Sequence, residues 1–462
     1  MRKSKLLSML FTFAAVFLFS SCNNDNEIPQ DDAPENEVSE IKSKYTIMLY
    51  GAGGGDLDNN FELNIMQSFM AVNSDVNMTA QVKWSSTFES ELTEVEKGCV
   101  YRFSLDSEKD ITSISDKKIA GKDFQMYDPK NLADFINYSK ETYPAENYIL
   151  ILWNHGRGYL PMDDAPKSRG VIYDDNLEGK CMSINEVVEG IKLSDTHFKA
   201  IYYDACLMAM MENWSELTEC AEYAIGSAHS VPGVGGLYTS LIDNLTTESD
   251  FETAIGNFCE ETMMFWEKIE SDEAKLDISM TKLSEMANVN TVVKNITDRL
   301  ITLYDDEEVK PGINLVMENS YNIENGLPFY DILYIADGLS LMTQDLELVR
   351  YYSQLYRAFD RAMVCHNQSK TLTEDGMFIS LGVNLGHNGT LRVTTGDPAL
   401  VYYKWDGTAV ANLIPSGEKV DFEWSSTWAD TYEKLAFDKA TGWSQWLKKN
   451  QQQPKIQGIP MP

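Results

Sequence analysis

The chain is short of cations. Its 38 Lys and Arg stand against 71 Asp and Glu, a net charge of −33, and such a surface repels the phosphates of nucleic acid. That excludes a nucleic-acid partner; solubility at a crowded cell surface accounts for the charge. The seven cysteines contain no Cys-x-x-Cys pair, which removes the usual zinc and redox frameworks. A helical HExxH, a Walker lysine loop and a GxSxG elbow are also missing, so metalloprotease, nucleotide-hydrolase and serine-hydrolase readings have no anchor. Past residue 21 no stretch is apolar enough to cross a bilayer, and no internal repeat is visible.

Two near-matches fail on single residues. Gly51, Gly53, Gly54 and Gly55 follow an apolar run and invite a dinucleotide-loop reading, but Asp56 stands where a glycine is needed and its charge opposes pyrophosphate. The segment reads instead as a turn closed by Asp58 as a helix N-cap. Asp56, Asp58 and Asn60 mimic a calcium loop until Phe61 replaces the required glycine and Gln67 the bidentate acid. No metal site is predicted.

The first 21 residues carry Arg2, Lys3 and Lys5, an apolar core over 6–19, and Ser20-Ser21 directly before Cys22. This is the pattern of an export signal, and it resembles a bacterial lipoprotein signal cleaved before a lipidated Cys22. The expected location is the cell envelope, tethered to the outer membrane and facing either the periplasm or the surface. Residues 23–40 (NNDNEIPQDDAPENEVSE) are acidic and nearly free of large apolar side chains, as expected of a solvated tether. Of the remaining cysteines, Cys99, Cys181, Cys220, Cys259 and Cys365 are odd in number; mostly reduced, buried thiols are expected, with room for one or two disulfides in an exported protein.

From residue 45 strand and helix signals alternate. Residues 45–50, 79–84, 100–105, 148–154, 200–206 and 221–227 read as strands. Helical spacing marks 131–141, 183–193, a segment starting at Leu207, and the stretches 251–270, 283–303 and 346–365, whereas 375–428 is richer in strand and turn signals. The alternation predicts an α/β fold with a mainly parallel sheet flanked by helices on both faces, followed by a C-terminal α+β extension. The expected divisions are a signal (1–21), lipidated cysteine and tether (22–44), catalytic domain (45–283), mostly helical region (284–370), and α+β region packed on the catalytic domain (371–462).

Two of those strands end in reactive side chains. YILILWNHG (148–156) delivers His155, and AIYYDAC (200–206) delivers Cys206, 51 residues later. Neighbouring parallel strands open their carboxyl ends onto one crevice, where an imidazole and a thiol can meet. A free thiol has a pKa near ~8.5 and needs a base or a helix N-terminus to become nucleophilic. A helix starting at Leu207 would supply the second. His155 would carry the proton to a leaving amine, and the N–H groups of Gly156 and Cys206 would hold an oxyanion. His197, His229, His366 and His387 lack such strand-end contexts and read as surface or internally satisfied residues.

On those residues the chain resembles the clostripain-like cysteine peptidases, relatives of caspases, gingipains and legumain. Asn154-His155-Gly156 and Asp204-Ala205-Cys206 carry the resemblance. YTIMLYGAGGGDLD, Cys206-Leu-Met-Ala-Met, Gly226-Ser227 with Pro232-Gly233, and YEKLAFDKATGWSQW (432–446) extend it more weakly. It implies a caspase-like sandwich, a Cys206–His155 dyad and a peptide or protein substrate. Asp204 would then hold a loop or orient the site. No cofactor is read from the residues, and calcium enters only through the resemblance. Arg-specific members carry an acid after the Pro-Gly of the downstream loop; here Val234 stands there and Ala228-His229-Ser230 replaces the commoner acidic stretch. Ser227, His229 and Val234 are therefore the expected substrate-binding residues, and a strict Arg/Lys preference at P1 is not expected. The resemblance also implies internal maturation, for which Lys167, Arg169 and Lys180 offer sites. Two rival readings are a catalytically silent surface lipoprotein binding peptides or glycans through its 9 Trp and 23 Tyr, and a structural envelope protein.

Overall fold

Strands whose residues are apolar at nearly every position belong in the middle of a sheet covered on both sides. β1 (Ser43–Ala52), β5 (Ala145–Trp153) and β8 (Phe198–Asp204) are of this kind, and they form the centre of a nine-stranded sheet. The computed structural model describes residues 43–54, 57–87, 94–159, 170–324, 329–374, 379–384, 390–392, 402–403, 409–410, 419–421 and 432–451. The predicted signal, Cys22, the tether, Lys167, Arg169, His387 and most of 375–428 lie outside them.

The remaining sheet strands are β2 (Val76–Lys83), β3 (Val100–Ser104), β4 (Lys118–Ala120), β9 (Ala221–Gly226), β10 (Asp277–Lys282) and β12 (Met363–Gln368), in the order β12-β10-β9-β8-β5-β1-β2-β3-β4. β2, β1, β5, β8 and β9 run parallel; β3 and β4 close one edge antiparallel, and β10 and β12 the other. Short antiparallel pairs stand apart from it, among them β6 (Val171–Asp174) with β7 (Lys180–Met182), and β11 (Phe329–Asp331) with β13 (Gly382–Asn384).

Side chains alternate between two cores. Met48, Tyr50, Leu150, Leu152, Ile201 and Tyr203 pack with α2 (Pro129–Thr142), α3 (Ile184–Leu193), α7 (Met286–Leu303) and α10 (Leu346–Ala362). Ile47, Leu49, Ile149, Ile151, Ala200 and Tyr202 pack with α1 (Asp58–Ala71), α5 (Tyr238–Thr247) and α6 (Phe251–Ile269). Each large buried side chain contributes about 1.5–3 kcal/mol. Slipping β8 by one residue would exchange its two faces and forfeit that packing along the strand, so the core fixes its register against β5.

The predicted strands and long helices are present, with two differences of consequence, the first being that the helix expected from Leu207 starts only at Met211. β12 lies beyond the boundary expected near 284 and completes the same sheet as the catalytic strands. The C-terminal helices over 436–441 and 443–451 bury Phe437, Trp443 and Trp446 in the core that α7 shares. The second difference concerns Asp58. It is not an N-cap; α1 is capped at Leu57 without a side-chain bond, and Asp58 is buried inside the helix start. Its carboxylate accepts the Ser85 N–H at 3.0 Å and the Ser85 hydroxyl, tying α1 to the end of β2.

Candidate active site

His155 and Cys206 leave the sheet at one level. In the β5–β8 ladder Trp153 is the partner of Asp204, and the Asn154 N–H reaches the Asp204 carbonyl at 3.4 Å; each reactive residue lies two positions past that rung. The loops beyond stay in contact. A Cβ at Gly156 would overlap the Cys206 carbonyl oxygen and lie 3.0 Å from the Cys206 nitrogen and 2.9 Å from Ala205 Cβ. At Gly158, whose φ is +58°, a Cβ would meet the Leu207 carbonyl oxygen at 2.9 Å, and the Tyr159 N–H points to Met210 Sδ at 3.1 Å. Glycine at 156 is what lets the backbones bearing the imidazole and the thiol touch.

Asn154 fixes the end of β5. Its Oδ1 accepts the Tyr173 N–H at 2.7 Å and its Nδ2 donates to the Ala52 carbonyl, so β1, β5 and β6 share one buried amide. His155 is exposed, and its ring meets Tyr173 edge-on, with centroids 6.3 Å apart and planes at 88°.

The helix expected directly behind Cys206 is absent. Leu207 has φ +64°, and its N–H and that of Ala209 are taken by the carbonyls of His229 (3.0 Å) and Ser227 (2.9 Å). Those bonds pull the chain into a turn against the loop after β9, and the helix starts only at Met211, running six residues. No helix N-terminus therefore stabilises a thiolate. Burial is the largest influence on the Cys206 thiol and pushes its pKa up, with Asp204 and Glu324 adding to it; the Val231 N–H and the Ser230 hydroxyl pull the other way. The Val231 N–H lies 3.2 Å from Sγ. A thiol held protonated this way needs a base to take its proton.

Asp204 serves the downstream loop. Its Oδ2 accepts the Gly236 N–H at 2.9 Å and the Tyr238 hydroxyl at 2.8 Å, and burial raises its pKa while those donors lower it. Gly235, at φ +66°, passes so close that a Cβ would sit 2.5 Å from Asp204 Oδ2 and 2.8 Å from Trp153 Nε1. Val234, half-buried, belongs to this same 232–236 turn. Ser227 and His229 are placed differently from expectation, at 1% and 2% exposure. The Ser227 hydroxyl donates to Asp277 Oδ1 at 3.0 Å, His229 Nδ1 lies 2.7 Å from the same oxygen, and Nε2 lies 2.8 Å from the Tyr321 hydroxyl. Their polar atoms are engaged beneath the nucleophile turn, not offered to a ligand.

Val231, Asp277, Tyr173, Tyr238 and Tyr321 had no mark in the sequence. Val231 acts through a backbone N–H, and Asp277 and Tyr321 arrive from segments 71 and 115 residues past Cys206, Asp277 through the sheet order and Tyr321 through its hydroxyl on His229. Among the described residues no group of three or more His, Cys, Asp or Glu is placed to hold a metal ion, and Cys99, Cys206, Cys220, Cys259 and Cys365 carry free thiols.

The profile of the clostripain family matches residues 95–449. Clostripain of Hathewaya histolytica is 26% identical over 254 residues, which is 49% of this chain and 46% of that protein, so the match spans about half the length of each. Among solved structures, a secreted C11 cysteine protease of Bacteroides thetaiotaomicron bound to an irreversible peptide inhibitor superposes with a TM-score of 0.56 at 18% identity, covering 87% of this chain and 99% of that one. An inactive zymogen C11 protease of Parabacteroides distasonis gives 0.55 at 17% identity with the same coverage. These two share the fold.

Proposed function

The chain belongs to the clostripain family, and from that premise we propose that it is a lipid-anchored cysteine endopeptidase working through Cys206 and His155. The observation that carries the reading is the contact of Gly156 with the Cys206 backbone, which sets the imidazole-bearing and thiol-bearing loops side by side. His155 takes the Sγ proton as sulfur attacks the scissile carbonyl carbon, forming a C–S bond and an oxyanion. The N–H groups of Gly156 and Cys206 hold that oxyanion. Collapse breaks the C–N bond, His155 passes the proton to the departing amine, and a thioester remains. Water, deprotonated by His155, then releases the acid and restores the thiol.

The resting thiol is protonated because burial raises its pKa, which makes His155 the obligatory first acceptor. Asp204 and Tyr238 shape the 232–236 turn that borders the P1 side chain. Val234 places an apolar side chain where a carboxylate would be needed to pair with a buried guanidinium, whose desolvation would otherwise cost several kcal/mol. The P1 preference is accordingly not strictly Arg or Lys. The Cys22 thioether anchors the enzyme to the outer membrane, and residues 160–180 are a site of internal cleavage; a single intact band after prolonged incubation of active enzyme would refute the cleavage.

Cleavage of a peptide library by purified protein tests the activity and its specificity together. Hydrolysis with mixed P1 residues, lost in Cys206→Ala and His155→Ala, is the expected outcome. A dominant Arg at P1 would refute the relaxed specificity, and unchanged hydrolysis in Cys206→Ala would refute the dyad.

A further inference from the structure

We propose that Asp277 and His229 are positioning residues for the nucleophile: a buried clamp that holds the 227–231 segment so that the Val231 N–H stays on the Cys206 sulfur. The inference rests on the reading of Cys206 as the nucleophile. Asp277 opens β10, the strand beyond β9, and its carboxylate is fully enclosed. It gathers four donors from one short stretch: the Ser227 hydroxyl at 3.0 Å, the Ala228 N–H at 3.1 Å, the His229 N–H at 2.9 Å and His229 Nδ1 at 2.7 Å. A carboxylate accepts only, so Nδ1 carries the hydrogen in this contact. His229 is thereby fixed at both ring nitrogens, with Nε2 and the Tyr321 hydroxyl 2.8 Å apart.

What this gathering holds is the turn around Cys206. The His229 carbonyl accepts the Leu207 N–H at 3.0 Å and the Ser227 carbonyl accepts the Ala209 N–H at 2.9 Å. Two residues past His229, the Val231 N–H meets Sγ at 3.2 Å. Hydrogen bonding to a charged form favours it, and here the donor is a backbone amide that can hold its aim only if the segment carrying it is rigid. Asp277 stays ionised despite its burial because His229, the neighbouring His366 and the Ala228 N–H hold its pKa down. The clamp also reaches the strap over 320–324: Tyr321 bonds His229, and Ser230 donates to Glu324 at 3.2 Å. The ionisable groups that act on Cys206 are Asp204 and Glu324; those that act on Asp277 are His229 and His366.

Asp277→Asn keeps the shape but removes the charge and one acceptor: its oxygen can serve the three donors on Oδ1 only if its NH2 faces the Ala228 N–H on the Oδ2 side. The test measures the rate of Cys206 alkylation by iodoacetamide against pH, with kcat, KM and the thermal midpoint, in wild type, Asp277→Asn and His229→Asn. His229→Asn supplies a shorter side chain whose amide can still donate to Asp277. The expected result for Asp277→Asn is an alkylation midpoint moved to higher pH and a kcat lower by about tenfold, with KM little changed; His229→Asn shows a smaller change in the same direction. Wild-type alkylation rates and midpoint in both variants would overturn the clamp, as would a fall in thermal midpoint with no movement of the alkylation profile. Should Asp277→Asn not fold, the same readings on His229→Asn decide: a midpoint moved upward supports the clamp and an unmoved one overturns it. Wild-type protein that hydrolyses peptides without Cys206 would instead defeat the underlying reading of the nucleophile.

Discussion

Trp153 stands opposite Asp204 on the β5–β8 ladder. Because both loops leave the sheet from that rung, the distance between His155 and Cys206 in the chain becomes irrelevant and their adjacency is set by strand register. The packing of Ile149, Ile151, Ala200 and Tyr202 in one core and of Leu150, Leu152, Ile201 and Tyr203 in the other enforces the register. The placement of the two loops is thus a consequence of core burial.

Gly156→Ala adds one carbon where the Cys206 carbonyl oxygen already sits. The two loops must part, and the account predicts a loss of kcat/KM of about a hundredfold with the fold retained by circular dichroism. Near wild-type turnover in a folded Gly156→Ala enzyme would show that the loops need not touch.

Lys83 and Asp174 form a sealed pair at 2.8 Å, with side chains 1% and 0% exposed, and Lys83 also donates to the carbonyls of Lys122 and Phe124. Lys83→Met would leave Asp174 buried without its cation, at a cost of about 3–5 kcal/mol in denaturant unfolding. Asp174 adjoins Tyr173, which bonds Asn154, so activity should fall as well. A double change with Asp174→Asn should recover part of the stability, and no recovery would argue against an ion pair.

Asp331 gives a pH signature. Its carboxyl is pushed up to about 6 by burial, although the N–H groups of Ser380, Tyr334 and Leu333 oppose the shift. An unfolded Asp titrates near ~3.9, so the folded protein binds the proton more tightly. The resulting stabilisation is complete below pH ~4 and is lost as pH rises toward 6, by roughly 2–3 kcal/mol at 1.36 kcal/mol per unit. Unfolding free energies of wild type should therefore fall relative to Asp331→Asn across that window. Parallel curves would contradict the assignment.

Tyr238→Phe removes one donor from Asp204 and leaves the Gly236 N–H in place. Loss of one hydrogen bond in a buried site costs about 1 kcal/mol. The change should raise KM and alter P1 ranking while kcat holds, as steady-state kinetics on matched peptides would reveal; an equal fall in kcat would place the hydroxyl in the chemistry.

Much of this was legible in the sequence because interior strands announce themselves: YILILW and AIYYD are apolar runs that stop at polar, reactive residues. The same simplicity misled at Leu207. LMAMM is buried throughout and fits a helix face, yet tertiary bonds to Ser227 and His229 claim the N–H groups a helix would use. Asp58 failed for a related reason, since Ser85 captured the carboxylate that an N-cap would have turned on its own helix. Asp277 left no trace at all: its partners lie 48 to 50 residues earlier, and only the pairing of β10 with β9 joins them.

The most direct measurement is covalent labelling by a thiol-reactive peptide probe, located by mass spectrometry in wild type, His155→Ala and Cys206→Ala. A single adduct on Cys206, strongly slowed without His155 and absent in Cys206→Ala, is the predicted result. Labelling at the same rate without His155, or adducts on another cysteine in preference to Cys206, would contradict the account.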